Sequence, residues 1–268
     1  MSTNAIELDR LTQRWKRFRA GRDAALATSH GWLSLTAFHW LPAAPAALPG
    51  LPGLWNFEGT TAHLTASPHD HLILMESGVA VDGTLSVELA DEESLTWVSF
   101  GTVVVELGMR AHKYMLRTRD SQSPVLTSFT GVPVFAYNPE LVVTASFVRF
   151  GQPRFEVIET ANPLVGGVAE LVGEVTFELG GTHYSLAAEE GALGALVVSF
   201  YDASNGDTTS HWRKIELTRP RPDGSVMIDF NRAINYPSAF TDFGTCPAPV
   251  SENTLPMAIE AGEQDPRK

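Results

Sequence analysis

The chain reads as a mainly β protein, an antiparallel barrel or closed sandwich with an N-terminal α-helix and an irregular C-terminal closing segment. Short apolar or β-branched runs recur from Leu54 onward with turn dipeptides between them, the pattern of antiparallel strands rather than of alternating βαβ units. Helical periodicity is concentrated at the start of the chain. The expected partition is an amphipathic helix over 1–28 and a single antiparallel β domain over 29–268, whose loop segment 229–263 folds back across one mouth.

The helix rests on Leu8, Leu11, Trp15, Phe18, Ala25 and Leu26, which recur at three to four residues and form one apolar stripe on an otherwise basic and polar surface. His30 and Gly31 mark its end. The apolar element "WLSLTAFHWL" reads as a core strand or short helix, and "PAAPAALPGLPG" as an extended, proline-rich connection. Asp82-Gly83, Gly180-Gly181, Asn205-Gly206 and Asp223-Gly224 each lie between β-prone runs. Such dipeptides favour the primed turns whose twist matches two antiparallel strands, so at least three hairpins are expected. A second helix is expected around Asn253 to Ala261, with Asn253 as its cap and Gly262 as its end.

Composition narrows the function. A net charge of −12 and a pI near 5.1 give no basic field for nucleic acid or for an anionic membrane surface. One cysteine, Cys246, builds neither an internal disulfide nor a thiolate metal site alone, which fits a reducing setting. The N-terminus lacks the apolar core of a signal peptide, and no stretch approaches the roughly 18 apolar residues of a membrane span, so a cytoplasmic location is expected.

No GxSxG, HExxH, GxxxxGK[ST] or GxGxxG motif occurs, which removes the local geometry of the common hydrolase, zincin and nucleotide-binding readings. His69 and His71, two apart on one predicted strand face, have a spacing compatible with one metal, but no third ligand is apparent and no metal site is assigned. In "YMLRTRD", Arg117 and Arg119 share a strand face, and two guanidiniums there suit a carboxylate or phosphate, the competing reading being a solvated strand face with cross-strand ion pairs. In "DFNRAIN", Asp229, Asn231, Arg232 and Asn235 gather a carboxylate, two amides and a guanidinium within seven residues. Asp229 is a candidate base or orienting group and Arg232 an anion holder. The competing reading is that Asp229 and the asparagines satisfy the backbone of an irregular loop, since unpaired buried groups are costly. Cys246 reads as a buried, inert thiol.

With "GWLSLTAFHWL", "LRTRDSQSP", "FYDASNGDTTSHWRKIEL" and "GSVMIDFNRAINYPSAFTDFGTCPAPVSENTLPMAIEAGE" in view, the chain resembles the bacterial and archaeal family known as domain of unknown function 1684. The resemblance implies a shared architecture and a shared tail, and transfers no reaction. Its relatives carry a tyrosine and a Gly-Arg pair where this chain has "SHWRKIEL", so Arg213 keeps the family's arginine in altered surroundings.

The expected function is a small-molecule pocket, that of an enzyme acting on a carboxylate- or phosphate-bearing metabolite. Asp229 and Arg232 are its catalytic candidates, and Arg117, Arg119, Arg213, Asn231 and Asn235 its ligand contacts. The alternative is a binding or carrier domain with the same pocket and no chemistry. Cofactor and oligomeric state are left open.

Overall fold

The structure is a computed structural model and describes residues 3–268, with side chains from Leu8 onward. The chain divides into two units, Met1–Ala25 with Thr130–Lys268, and Leu26–Phe129. The sequence reading drew one β domain over 29–268 and contains no such division. Helix α1 (Thr3–Leu26) opens the chain, as its periodicity requires. All three sheets are antiparallel apart from one short parallel pair, and among the described residues none closes into a barrel. No helix is long and apolar enough to cross a membrane.

The Leu26–Phe129 unit holds strands β1 (Leu35–Trp40), β2 (Ala46–Leu48), β3 (Leu51–Glu58), β4 (Thr61–Ala66), β5 (Ile73–Leu74), β6 (Gly83–Val87), β7 (Ser94–Phe100), β8 (Val103–Arg110) and β9 (Lys113–Asp120). They form a five-stranded sheet, β1-β9-β8-β7-β5, and a four-stranded sheet, β2-β3-β4-β6, which share one core. Trp55 and Trp97 meet edge to face there at 5.6 Å, the geometry that the ring quadrupole favours. The β8–β9 turn is made by Ala111 and His112, both at positive φ. Neither is a residue type that announces a primed turn. Asp82-Gly83 joins no hairpin, since Gly83 is the first residue of β6, which pairs with β4.

The other unit holds β10 (Val142–Ile158), β11 (Gly167–Leu179), β12 (Thr182–Glu190), β13 (Leu196–Asp202), β14 (Arg213–Leu217), β15 (Ser225–Asp229), β16 (Ile234–Asn235) and β17 (Thr254–Leu255). Their order is β15-β10-β11-β12-β13-β14-β16, with β17 parallel to β13. Gly180 and Gly181 make the expected two-residue hairpin between β11 and β12, both at positive φ. β13 and β14 pair as expected, but through the longer loop 203–212, inside which the Asn205 amide bonds to Asp202 and Ser210.

The turn at Asp223-Gly224 departs from expectation. It closes on itself through Arg221 and Ser225, yet β14 and β15 do not pair; β15 lies on β10 instead. The stretch "RPRP" explains this, because Pro220 and Pro222 donate no backbone N–H and cannot serve a ladder between the two strands. The sheet therefore keeps two free ends, and the barrel half of the sequence expectation fails for want of a first-to-last pairing.

Segment 229–263 is irregular, as expected, but it has no barrel mouth to cross and runs along β12, β13 and β14. The helix expected at Asn253 does not form. Asn253 accepts from the Ala187 N–H (2.7 Å) and donates to the Ala187 and Ser199 carbonyls (2.9 and 2.8 Å), so its amide is committed to two strands and cannot cap. Further on, the carbonyls of Ile259, Ala261 and Glu263 converge on the guanidinium of Arg213. The last part of the tail is thus wrapped around a buried cation.

Candidate anion-binding cleft

Strands β14 and β15, one at the terminus of the strand order and the other next to its opposite end, stand close together without hydrogen bonding to each other. Helix α1 lies beside this seam, and the three elements enclose a cleft of about 450 Å³. Arg14 and Arg17 reach it from the helix, three residues apart and so on one face. Arg221 comes from the proline-rich turn, and Arg232 from the 3-10 turn after β15. Glu216 of β14 and Asp229 of β15 are its carboxylates, and Leu11, Val142, Ile215 and Met227 its aliphatic surface.

Charge as well as the apolar stripe holds the helix in place. Leu8 is exposed, whereas Arg19 is buried. Arg19 and Arg22 both donate to Glu263, at 2.7 and 3.1 Å, and the other oxygen of that fully buried carboxylate takes the Asn235 N–H at 2.6 Å. Arg22 also donates to the Asn235 carbonyl, and the Trp15 indole donates to the Asn231 carbonyl at 3.0 Å. These bonds join α1 to the segment that follows β15, which is what sets the width of the cleft.

Arg232 is half-buried and stacked on Phe18, its guanidinium carbon 4.3 Å from the ring centroid. Its Nε is buried with no hydrogen-bond partner, and no carboxylate lies within ion-pair distance among the described residues. Its charge is nonetheless felt nearby. Glu216 is lowered from its ordinary pKa first by the Lys214 hydrogen bond, then against burial by Lys214, Arg22 and Arg232. Asp229 is half-buried, and its Oδ1 accepts from the Asn231 N–H and side-chain amide at 3.1 and 2.9 Å. No described group donates to its Oδ2. Burial and the Asp229 charge push the Tyr137 hydroxyl up while Arg14 opposes them.

Of the residues proposed from sequence, the structure brings Asp229 and Arg232 together in the cleft and places the others elsewhere. Asn231 is 1% exposed, its amide spent on Asp229 and on both backbone groups of Asn138. Asn235 is 1% exposed and donates to the Gln264 carbonyl. Arg213 is 0% exposed and bonds to Asp202 at 2.8 Å. Asn231 and Asn235 thus serve the loop, the competing reading of the sequence, which Asp229 shares through the Asn231 N–H, while Arg213 holds the tail's carbonyls. Arg117 and Arg119 lie on β9 of the Leu26–Phe129 unit, where the anion they hold is the protein's own Glu106, at 3.4 and 2.6 Å. Burial pushes the Glu106 carboxyl up, but Arg119 and then Arg117 outweigh it and hold it below its ordinary value.

His69 sits in a 3-10 turn and His71 follows it in the left-handed region, so the strand face assumed for them does not form. Among the described residues no group of three or more metal-ligating side chains converges. Cys246 is buried. A second cavity, of about 360 Å³, is lined by Ser210, Trp212 and Asp242, but Arg267 already neutralises Asp242 at 2.8 Å.

A family model described as protein of unknown function (DUF1684) matches residues 127–264. The chain belongs to this family. The DUF1684 segment contains β10 to β17, and with them Glu216, Arg221, Asp229 and Arg232, while Arg14 and Arg17 come from outside it. No curated protein matches the chain. Among solved structures, the solution NMR structure of an uncharacterized protein from Haloarcula marismortui is 26% identical, covers 52% of this chain and 78% of its own, and has a TM-score of 0.43.

Arg14, Arg17, Arg221 and Glu216 were missed by sequence reasoning. A signal existed for the first two, since an arginine pair on one face of a helix in a chain of net charge −12 is an unusual concentration.

Proposed function

We propose that this protein binds a small metabolite bearing a carboxylate or phosphate in the cleft between α1, β14 and β15. The observation that supports the reading best is Arg232. A guanidinium stacked on an aromatic ring, lining the cleft and with no carboxylate within ion-pair distance among the described residues, leaves its terminal N–H groups for an incoming anion. Arg14, Arg17 and Arg221 add charge from both walls, and the volume suits a single small molecule.

The enzyme reading is supported by a second observation. Asp229, whose Oδ2 has no described donor, lines the same cleft, where its carboxylate would take a proton from a bound substrate. Binding is the more economical conclusion, because it needs only the groups already in position.

Titration calorimetry at low ionic strength with phosphate and citrate tests the proposal. Arg232→Gln is expected to weaken the tighter-binding anion at least tenfold, as losing a charge-assisted hydrogen bond of ~1.5–3 kcal/mol would do. Equal affinities for the wild type and the variant would exclude the cleft as the site. Product analysis after long incubation with the bound compound separates enzyme from carrier.

A further inference from the structure

We infer that the ligand of this cleft is a phosphate monoester with a hydroxylated body, a reading that rests on the anion cleft proposed above. Charge is the first argument. Four guanidiniums against two carboxylates leave the lining with an excess of two positive charges. The neighbours just outside cancel, since Lys214 bonds to Glu216 and Asp223 lies beside Arg221. A phosphate monoester carries about −1.5 to −2 at pH 7 and matches that excess, whereas a monocarboxylate leaves about half of it unbalanced.

Geometry is the second argument. Arg14 and Arg17 come from the helix, Arg221 and Arg232 from the segments flanking β15. A head group reached from two walls needs acceptors pointing in more than one direction. A phosphate has three terminal oxygens arranged that way, and a carboxylate has two in one plane.

The carboxylates supply the third. In a cleft built only for an anion, Asp229 and Glu216 would weaken binding. Asp229 Oδ1 is fixed by Asn231, which leaves Oδ2 without a protein donor, and Glu216 is held by Lys214 through one oxygen. An acceptor kept open inside a site selects ligands that bring a donor to it. Hydroxyl groups on the body of the ester meet that need, and a bare phosphate does not.

The test is calorimetry on the full chain with inorganic phosphate, glucose 6-phosphate, AMP, glucose and gluconate as probes. Glucose 6-phosphate or AMP is expected to bind about tenfold more tightly than phosphate, the worth of one hydrogen bond to a charged group, and glucose not measurably. Which of the two esters binds more tightly identifies the body. Asp229→Asn should abolish the advantage of the ester over phosphate, and Arg232→Gln should weaken every anion; circular dichroism and melting curves confirm that both variants fold. Gluconate binding as tightly as the esters would overturn the phosphate class and leave the anion cleft standing. An ester no tighter than phosphate, or an advantage that survives Asp229→Asn, would overturn the hydroxylated body. Failure of every anion to bind would remove the cleft proposal and this inference with it.

Discussion

Arg213→Met is expected to cost about 3–5 kcal/mol of stability, the range found when one partner of a buried ion pair is removed. Arg213 is fully buried, and so is the carboxylate of Asp202 that it contacts at 2.8 Å. The same guanidinium satisfies the carbonyls of Ile259, Ala261 and Glu263, so the substitution strands a charge and leaves three acceptors without their donor. Urea denaturation followed by tryptophan fluorescence measures the loss. A change below about 0.5 kcal/mol, within the spread of ordinary surface substitutions, would show that solvent or a rearranged tail replaces the arginine.

The same pair predicts a pH dependence. Burial pushes the Asp202 carboxyl up, but Arg213 and the bonds from Ser204 outweigh it and hold the carboxyl below its ordinary value. A folded-state pKa below the unfolded one contributes stability that is complete above the unfolded value and is lost as pH falls through the folded one. Glu106, held low against burial by Arg119 and Arg117, adds in the same direction. Wild-type stability should therefore decline below about pH 4, where unfolded carboxylates begin to protonate. The gap between the wild type and Arg213→Met should narrow from above that range downward, because the stranded Asp202, pushed up by burial once Arg213 is gone, takes its proton above the unfolded value, and the wild type loses its pair below it. Urea midpoints at pH 3, 4, 5 and 7 check both statements, and a gap that widens toward acid would contradict the assignment.

Glu263→Gln is the second large effect, at about 3 kcal/mol, the lower end of the buried-pair range because the amide still accepts one N–H. Glu263 draws Arg19 and Arg22 of α1 onto the Asn235 backbone. Weakening it should loosen the helix wall that carries Arg14 and Arg17, so anion affinity should fall although Glu263 lines no part of the cleft. Calorimetry and limited proteolysis of α1 follow the two consequences. Full anion affinity in a destabilised variant would show that the helix wall contributes nothing to binding.

Much of the fold is legible in the chain wherever the signal is local. The period of α1, most of the β-prone runs and the Gly180-Gly181 turn are properties of neighbouring residues and appear where expected, although the run "PVFAYN" over 133–138 forms no strand. The β8–β9 turn was illegible because Ala111 and His112 adopt positive φ without belonging to the residue types that favour it. That turn sets Glu106 opposite Arg117, so the partner of the arginine pair depended on a register that no turn motif announced. Asp223-Gly224 makes a turn but no hairpin. The prolines just before it, visible in the sequence, were the stronger signal.

A mainly antiparallel β protein with a leading helix, and an irregular, amide-rich segment from Asp229 onward, are legible in the chain alone. Periodicity and backbone chemistry act over a few residues and can be read there. Which arginines are spent and which are open depends on contacts between distant segments. Arg213, Arg117 and Arg119 look no different in sequence from Arg232 and Arg14, yet the first three are consumed by carboxylates within the fold and the last two are not. The reason is that a charge is neutralised by whatever the fold brings to it. The bond that fixes the helix wall joins Arg19 to Glu263 across 244 residues, a separation over which no local pattern carries information.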